Sequence, residues 1–344
     1  MNKKILVLIL SVILLLGACG KNSTNEAGAK SKSGDLEKLE LILAAEGTTM
    51  YYAYVARDKG FFEEEGLDVE LIAGKGGTYV VQQVGAGQVD FGITAIAAVL
   101  PAWDKDVAIQ SVYQVNYKNL FDFMVPKDSA ITDIQQLKGK RIGVSDLSGG
   151  EVPMVRSILS SAGLTVDKDV TLRAIGSEAT SILTAFEKGD IEAYIGGAHD
   201  LVSLYARGFE SKSLIPAEFQ ALPSTTIVAS DKVIKERPEL VEKVNRAIAK
   251  ATDFAINDPD AAYDLMKKAI PEQYTDEEVG RIFLDTFIDL TTLKDPAKGY
   301  GYIDKTSWEK LVEQFKQGDP PVITGDIDLD KYLNSSFLEK ANDF

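Results

Sequence analysis

The sequence predicts an α/β protein built from two similar lobes, on three observations. Short apolar runs suited to buried strands alternate with amphipathic helical stretches from Leu39 onward. That alternation restarts at Arg141. A Gly-x3-Thr-x8-Gly spacing occurs at Gly74, Thr78 and Gly87, and again at Gly176, Thr180 and Gly189, offset by 102 residues. Gly66-Leu67 and Gly163-Leu164 repeat upstream of it, and strand-like sequels follow Gly87 and Gly189. Solenoids need three or more short repeats, whereas two units of about a hundred residues indicate two related lobes.

Each element follows from local pattern. Leu39 to Ala45 is an apolar run with one Glu, as a buried parallel strand requires. Met50 to Phe62 reads as a helix ending near Gly60, Leu67 to Ala73 as a strand and Thr78 to Gly85 as a helix. Asp90 to Thr94 is a strand, Ala95 to Trp103 a helix and Val107 to Val115 a strand. The second series runs through a strand at Arg141 to Ser145, a helix from about Val152 to Ala162 and a strand at Val170 to Ala174. A helix at Ser181 to Lys188 and a strand at Ile191 to Ile195 complete it. Strands separated by helices in this way predict a mostly parallel sheet in each lobe.

After Pro223 the chain changes character. Ser224 to Ser230 is one more strand, and helices then dominate. Pro238 to Ile256 carries Val241, Val244, Ile248, Ala251 and Ala255 on one stripe. Asp258-Pro259 is a helix start, and Thr275-x-x-Glu278 resembles a capping box ahead of Val279, Ile282, Phe283 and Phe287. Thr306 to Lys316 is a further helix, closed by Gly318. The ordinary role of such helices is packing around a lobe.

The first residues read as an address. Lys3 and Lys4 precede a twelve-residue run, Ile5 to Leu16, apolar except for Ser11. It is short for a membrane span and suits a secretory signal. It ends in Leu16-Gly17-Ala18-Cys19, which resembles the bacterial lipobox. That resemblance implies a signal peptide over residues 1–18, cut before Cys19, with Cys19 lipidated. The alternative is a plain signal peptide with a chance Cys. Cleavage there would remove two positive charges and take the formal charge from −15 to −17. Residues 19–35 are then the lipidated Cys and a flexible tether rich in Gly, Ser, Asn, Ala and Lys, with a reach of roughly 20–25 Å. Nothing later is apolar for long enough to span a membrane.

Composition excludes several functions. One Cys forms no internal disulfide and no Cys-cluster metal site, and one His makes no multi-His zinc site. A charge of −15 argues against nucleic acid, whose phosphates need Lys and Arg. Gly74-Lys75-Gly76-Gly77-Thr78 lacks the Walker A order, Gly85-x-Gly87 lacks the third Gly of a dinucleotide fingerprint, and no Gly-x-Ser-x-Gly elbow occurs. His199-Asp200 is the one His–carboxylate neighbour pair, and adjacency alone makes no catalytic unit. No cofactor and no metal are expected.

Polar residues gather where the strands end. Ligands of open α/β sheets bind beyond the carboxyl ends of the strands. In the first lobe those ends carry Thr48, Thr49, Tyr51 and Tyr52, then Gly76, Gly77 and Thr78, then Thr94. In the second they carry Gly149, Gly150 and Glu151, then Glu178 and Thr180, then His199 and Asp200. Asn116 stands where the chain leaves the first lobe. Backbone N–H groups and hydroxyls at such loops hold polar groups, though Gly, Ser and Thr also serve there as turns and caps.

The run Ala53-x-x-Ala56-x3-Gly60-Phe61-Phe62-x3-Gly66-Leu67-Asp68-Val69-Glu70 resembles the solute-binding proteins of bacterial ABC importers for sulfonates, taurine, nitrate, thiamine precursors and riboflavin. So do Gly87-Gln-Val-Asp90-Phe-Gly92, Leu137 to Gly143, Gly163-Leu164 and the helix between Gly299 and Gly318. The resemblance extends from about Leu39 to Ala341. It implies a periplasmic-binding-protein type II-like fold, two α/β lobes joined by a two-strand hinge. Lobe 1 would comprise residues 36–116 and 225–344, and lobe 2 residues 117–224. The crossings would lie near Gln114 to Phe121 and Ala221 to Thr226. It further implies a monomer that binds a small molecule, partners an ABC permease with its ATPase, and is held to the outer face of the cell membrane through its lipid. No bond would be made or broken.

A sulfonate or nitrate site calls for Arg or Lys beside helix N-termini. The loops instead offer Glu46, Glu151, Glu178 and Asp200, with Lys75 the one base. A neutral or cationic heterocycle, such as a pyrimidine thiamine precursor, is the favoured ligand, with Tyr51 or Tyr52 available to stack on a ring. The carboxylates are alternatively solvated helix-start residues. Two other classes stay open. The pyrimidine synthase of thiamine biosynthesis resembles these proteins but uses a His and a Cys-rich stretch, which a chain with Cys19 alone lacks. The third class is a surface sensor that signals without transport.

Overall fold

The computed structural model describes residues 36–344 apart from 74 and 318–320. The expectations for the signal peptide, Cys19, the tether, Gly74 and Gly318 lie outside the described residues.

The strands are β1 (Glu37–Leu43), β2 (Leu67–Ala73), β3 (Phe91–Ala95), β4 (Ile109–Asn116), β5 (Phe121–Pro126), β6 (Arg141–Val144), β7 (Thr171–Ala174), β8 (Ala193–Gly197), β9 (Ser211–Ser213) and β10 (Thr225–Ser230). They form two five-stranded sheets, ordered β2-β1-β3-β10-β4 and β7-β6-β8-β5-β9. The two orders superimpose by role. β1 is flanked in parallel by β2 and β3, as β6 is by β7 and β8. The fourth strand of each sheet, β10 or β5, is antiparallel to the third. It belongs to the segment that follows a chain crossing, so it enters its sheet from the opposite end. The sheets are therefore mixed, where βαβ alternation alone predicts mostly parallel ones.

The repeat has a backbone cause. Gly66 and Gly163 have φ of 79° and 77°, and Gly87 and Gly189 both have φ of 66°. These left-handed turns close the helices that precede a strand, and an L side chain is disfavoured at such angles. Gly60, at φ 78°, breaks the helix expected over 50–62 into Tyr51–Asp58 and Phe61–Glu64.

Helices from the C-terminal third complete the first lobe. Pro238–Asn257 buries Leu240, Val241, Val244, Ile248, Ala251 and Ala255. Trp103 stacks with Trp308 at 5.4 Å between ring centroids and with Tyr332 at 4.8 Å. Such pairs contribute about 0.5–1.5 kcal/mol beyond area burial. The helix expected to start at a Thr275 capping box instead spans Glu277–Thr291, with Asp276 accepting the Val279 N–H at 3.0 Å.

The chain crosses between the sheets twice, after β4 and before β10. Asn116 and Thr225 join the crossings by a 3.0 Å side-chain hydrogen bond, and the Ser224 hydroxyl donates to the Lys118 carbonyl at 2.6 Å. The lobes also touch directly. The Ser157 hydroxyl, in the helix Glu151–Ser161, donates to the Gln314 carbonyl, in the helix Lys305–Lys316, at 2.5 Å. One apolar cluster runs from Ile96, Trp103 and Trp308 on one side to Phe121, Val155 and Ile158 on the other. The lobes are thus closed on each other.

Candidate functional site

The seam between the lobes is built from strand ends facing strand ends. From the first lobe come the loops after β2 and β3. Gly77 is required there by close approach: a Cβ would stand 2.7 Å from Thr94 Oγ1 and 2.9 Å from Ala98 Cβ. From the second come the loops after β6 and β8. Gly150 abuts the first lobe, where a Cβ would stand 3.1 Å from Ala95 Cβ. The Thr78 hydroxyl reaches the Ser148 carbonyl at 3.4 Å, and Gly76 lies against the same carbonyl. Gly76, Gly77, Thr78 and Thr94 are thereby brought to Gly149 and Gly150.

Two carboxylates and the imidazole line the second-lobe side. Glu151 is buried, and its Oε1 accepts the Ser145 N–H at 2.9 Å, the Asp146 N–H at 3.3 Å and the Ser145 hydroxyl. Gly149 leaves room for the other oxygen, which a Cβ there would strike at 2.2 Å. Asp200 is fully buried, with Oδ2 accepting the Gly197 N–H at 3.1 Å and facing the Tyr194 hydroxyl at 3.0 Å. Its Oδ1 lies 2.8 Å from His199 Nε2. Burial favours neutral His199, but the negative charge of Asp200, backed by Glu151 and Glu178, outweighs it and raises the imidazole pKa above its ordinary value. Burial, reinforced by Asp200, likewise raises the Tyr194 phenol. The buried Thr94 hydroxyl and His199 Nδ1 have no hydrogen-bond partner within the protein. Buried polar atoms are ordinarily paired, so these are open valences at the seam.

Other candidates point elsewhere. Tyr51 and Tyr52 are in the interior of the first lobe, with the Tyr51 hydroxyl 2.6 Å from Thr291 Oγ1 and the Tyr52 hydroxyl 3.2 Å from the Met50 sulfur. Neither ring is free to stack on a bound ring. Thr48 is buried and held by Gln273, whose Oε1 accepts the Thr48 N–H at 3.0 Å, and by Tyr274, whose hydroxyl is 3.0 Å from Thr48 Oγ1. Thr49 donates to the Glu46 carbonyl at 3.4 Å. Asn116 is a hinge residue. Glu178 and Thr180 are exposed, as is Lys75. Gln273, Tyr274, Tyr194, Ser145 and Ser148 shape these loops without any signal in the sequence, since their contacts depend on the fold.

Among the described residues no group of three or more His, Cys, Asp or Glu is placed to hold a metal ion. No described helix is long and apolar enough to cross a membrane.

Two closed lobes with the repeated sheet order, meeting over a polar seam, define the class of two-lobed, periplasmic-binding-protein-type proteins. Within that class, the chain belongs to the NMT1/THI5 like family, whose model matches residues 48–262. It is 24% identical to the riboflavin-binding protein RibY of Chloroflexus aurantiacus, over 98% of both chains. It is 24% identical to the formylaminopyrimidine-binding protein of Halalkalibacterium halodurans, over 94% of this chain and 97% of that one. It is 30% identical to 4-amino-5-hydroxymethyl-2-methylpyrimidine phosphate synthase of Aspergillus parasiticus, over 63% of this chain but 66% of the synthase, just under two thirds of its length. Relatives therefore include both binding proteins and synthases. Among solved structures, the periplasmic aliphatic sulphonate binding protein SsuA of Escherichia coli superimposes with a TM-score of 0.67 at 14% identity, over 86% of this chain and 96% of that one, a likeness of fold.

Proposed function

We propose that the protein is an extracytoplasmic solute-binding protein that captures a small organic ligand between its lobes and delivers it to an ABC permease with its ATPase. Lobe 1 comprises residues 36–116 and 225–344 and lobe 2 residues 117–224. The ligand is a neutral or cationic aromatic heterocycle of the pyrimidine class. One observation carries this choice: the seam holds the buried Glu151 carboxylate beside the Asp200–His199 pair and the Thr94 hydroxyl, while the nearby Lys75 is exposed to solvent. Carboxylates accept N–H groups and repel a sulfonate. Relatives that bind riboflavin and formylaminopyrimidine support the same class. The mechanism is differential binding: a ligand that bridges both lobes only when they are closed shifts the population toward that state. No chemistry is performed.

Mass spectrometry of small molecules released by denaturing the purified protein tests this reading. A heterocycle recovered unaltered, and bound in calorimetry where taurine is not, is the expected result. Tight taurine or alkanesulfonate binding without heterocycle binding sinks the ligand assignment, and conversion of the heterocycle by the purified protein sinks the non-enzymatic one.

The protein is also proposed to be a monomer anchored through a lipid on Cys19. Mass spectrometry of the membrane-extracted protein should find an N-terminus at Cys19 carrying added acyl mass. An N-terminal Cys19 without acyl mass, or an N-terminus elsewhere, would reject the anchor.

A further inference from the structure

A groove between the lobes carries exposed apolar side chains that the seam does not use. The helix Ala198–Tyr205 of the second lobe and the helix Glu277–Thr291 of the first bound a cavity of about 270 Å³. Among the described residues five large hydrophobic side chains are exposed, and two of them, Tyr205 and Ile282, line this groove, one from each helix. Val202 and Val279 add to the same lining. Exposed apolar side chains gathered beside charged ones mark interaction sites, whereas scattered ones do not.

Size and charge select the occupant. The cavity is smaller than ordinary small-molecule sites, about 300–1,000 Å³, and suits a side chain or two presented by another protein. Its lining holds two carboxylates, Asp276 and Glu278, and no basic side chain. Asp276 caps its helix through the Val279 N–H, and Glu278 has no ion-pair partner among the described residues. The neighbouring bases are turned elsewhere: Arg281 pairs with Asp260 and Glu277, and Arg207 donates to the Ser203 carbonyl at 3.4 Å. A second copy of this chain, at a formal charge of −15, would be repelled, as would an anionic membrane surface. A guanidinium fits. It pairs with carboxylates and lies flat on a tyrosine ring, and Arg is enriched among the side chains that anchor protein interfaces.

We propose that this groove docks a protein partner through an arginine flanked by an apolar side chain, and does so in the closed state. The walls belong to different lobes. Tyr117, at the first crossing, donates its N–H to the Leu290 carbonyl near the far end of the helix Glu277–Thr291 at 2.9 Å. Val279 lies eleven residues before Leu290, about 16 Å along the helix axis. Parting the lobes about the crossings therefore separates the walls at the groove, and a partner gripped by both is gripped by the closed form. The inference rests on the permease reading above for who the partner is, and on the groove itself for the chemistry that partner presents.

The test is an NMR titration of the purified full-length protein with N-acetyl-leucyl-arginine amide, against N-acetyl-leucyl-citrulline amide, its uncharged isostere. The arginine peptide should bind roughly fivefold more tightly at low salt, and the preference should fade at high salt. Glu278→Gln should weaken it to the level of the citrulline peptide. Glu339→Gln, which removes an exposed carboxylate outside the groove, should leave it unchanged. Gly150→Trp, with its lobes shown by scattering to be parted, should also weaken it. Absence of arginine-peptide binding, equal binding of the two peptides, full binding by Glu278→Gln or loss in Glu339→Gln each overturns the site. Full binding by the parted Gly150→Trp overturns its dependence on closure. The permease reading survives all of these and fails on a different result, the absence of stimulated ATP hydrolysis by the reconstituted permease and its ATPase.

Discussion

His199 is the sole imidazole of the chain, so its titration can be followed without ambiguity. Burial pulls its pKa down, and Asp200, with Glu151 and Glu178 behind it, pulls harder in the other direction. An unfolded imidazole titrates near 6.5. With the folded value raised, the stabilisation is complete below the unfolded pKa and is lost as pH rises through the folded one. Proton NMR of the native protein should therefore give a His199 midpoint above 6.5, and Asp200→Asn should lower it. A midpoint at or below 6.5 in the native protein would mean that Asp200 does not hold the imidazolium. Packing makes a second demand at single-residue scale. A Cβ at Gly92 would stand 2.3 Å from Val80 Cγ1, 3.0 Å from Ile42 Cγ2 and 3.1 Å from Val84 Cγ2. Gly92→Ala should cost about 1–3 kcal/mol in denaturant unfolding, the ordinary penalty of overpacking. A value within a few tenths of zero would show that β3 yields freely to the helix Gly77–Gly85.

At the scale of elements, the choice of cap separates local reading from structure. Thr275-x-x-Glu278 has the spacing of a capping box, yet Asp276 caps the helix Glu277–Thr291. Asp276→Ala should lower stability by about 1 kcal/mol, and Thr275→Ala should leave it nearly unchanged, as read from urea midpoints. The reverse ranking would restore the Thr275 cap. The same contrast runs through the fold. β2 and the helices of the C-terminal third were legible because their apolar period is local. β5 and β9 were not, because Phe121–Pro126 becomes a strand by pairing with β8 and Ser211–Ser213 by pairing with β5. The site divides likewise. Strand-end loops could be read from alternation and Gly content, which located Glu151, His199 and Asp200. Side-chain direction could not be read. Tyr51 and Tyr52 suited a stacking role by type, but the first helix turns both rings into the core. Thr48 looked free until the fold brought Gln273 and Tyr274, more than two hundred residues later, onto it.

At the scale of the whole molecule, the contacts between the lobes set how firmly they stay closed. Opening is opposed by Thr78 on the Ser148 carbonyl, Ser157 on the Gln314 carbonyl, the close approach of Gly150 to Ala95, and the apolar cluster shared by both lobes. Each hydrogen bond contributes only about 0.5–1.5 kcal/mol net, so the apolar surface shared by the lobes is the larger part of what holds them together. The Thr94 hydroxyl and His199 Nδ1, which have no partner within the protein, belong to the same seam. Gly150 is the position at which this balance can be tipped without removing a polar group. Its missing Cβ would sit 3.1 Å from Ala95 Cβ and 3.4 Å from the Phe121 ring, between the two lobes. Gly150→Trp should wedge the seam, raising the radius of gyration in small-angle X-ray scattering above the native value. It should also weaken heterocycle binding while the melting temperature moves little, since each lobe keeps its own sheet. An unchanged radius with unchanged binding would show that Gly150 does not stand in the path of closure.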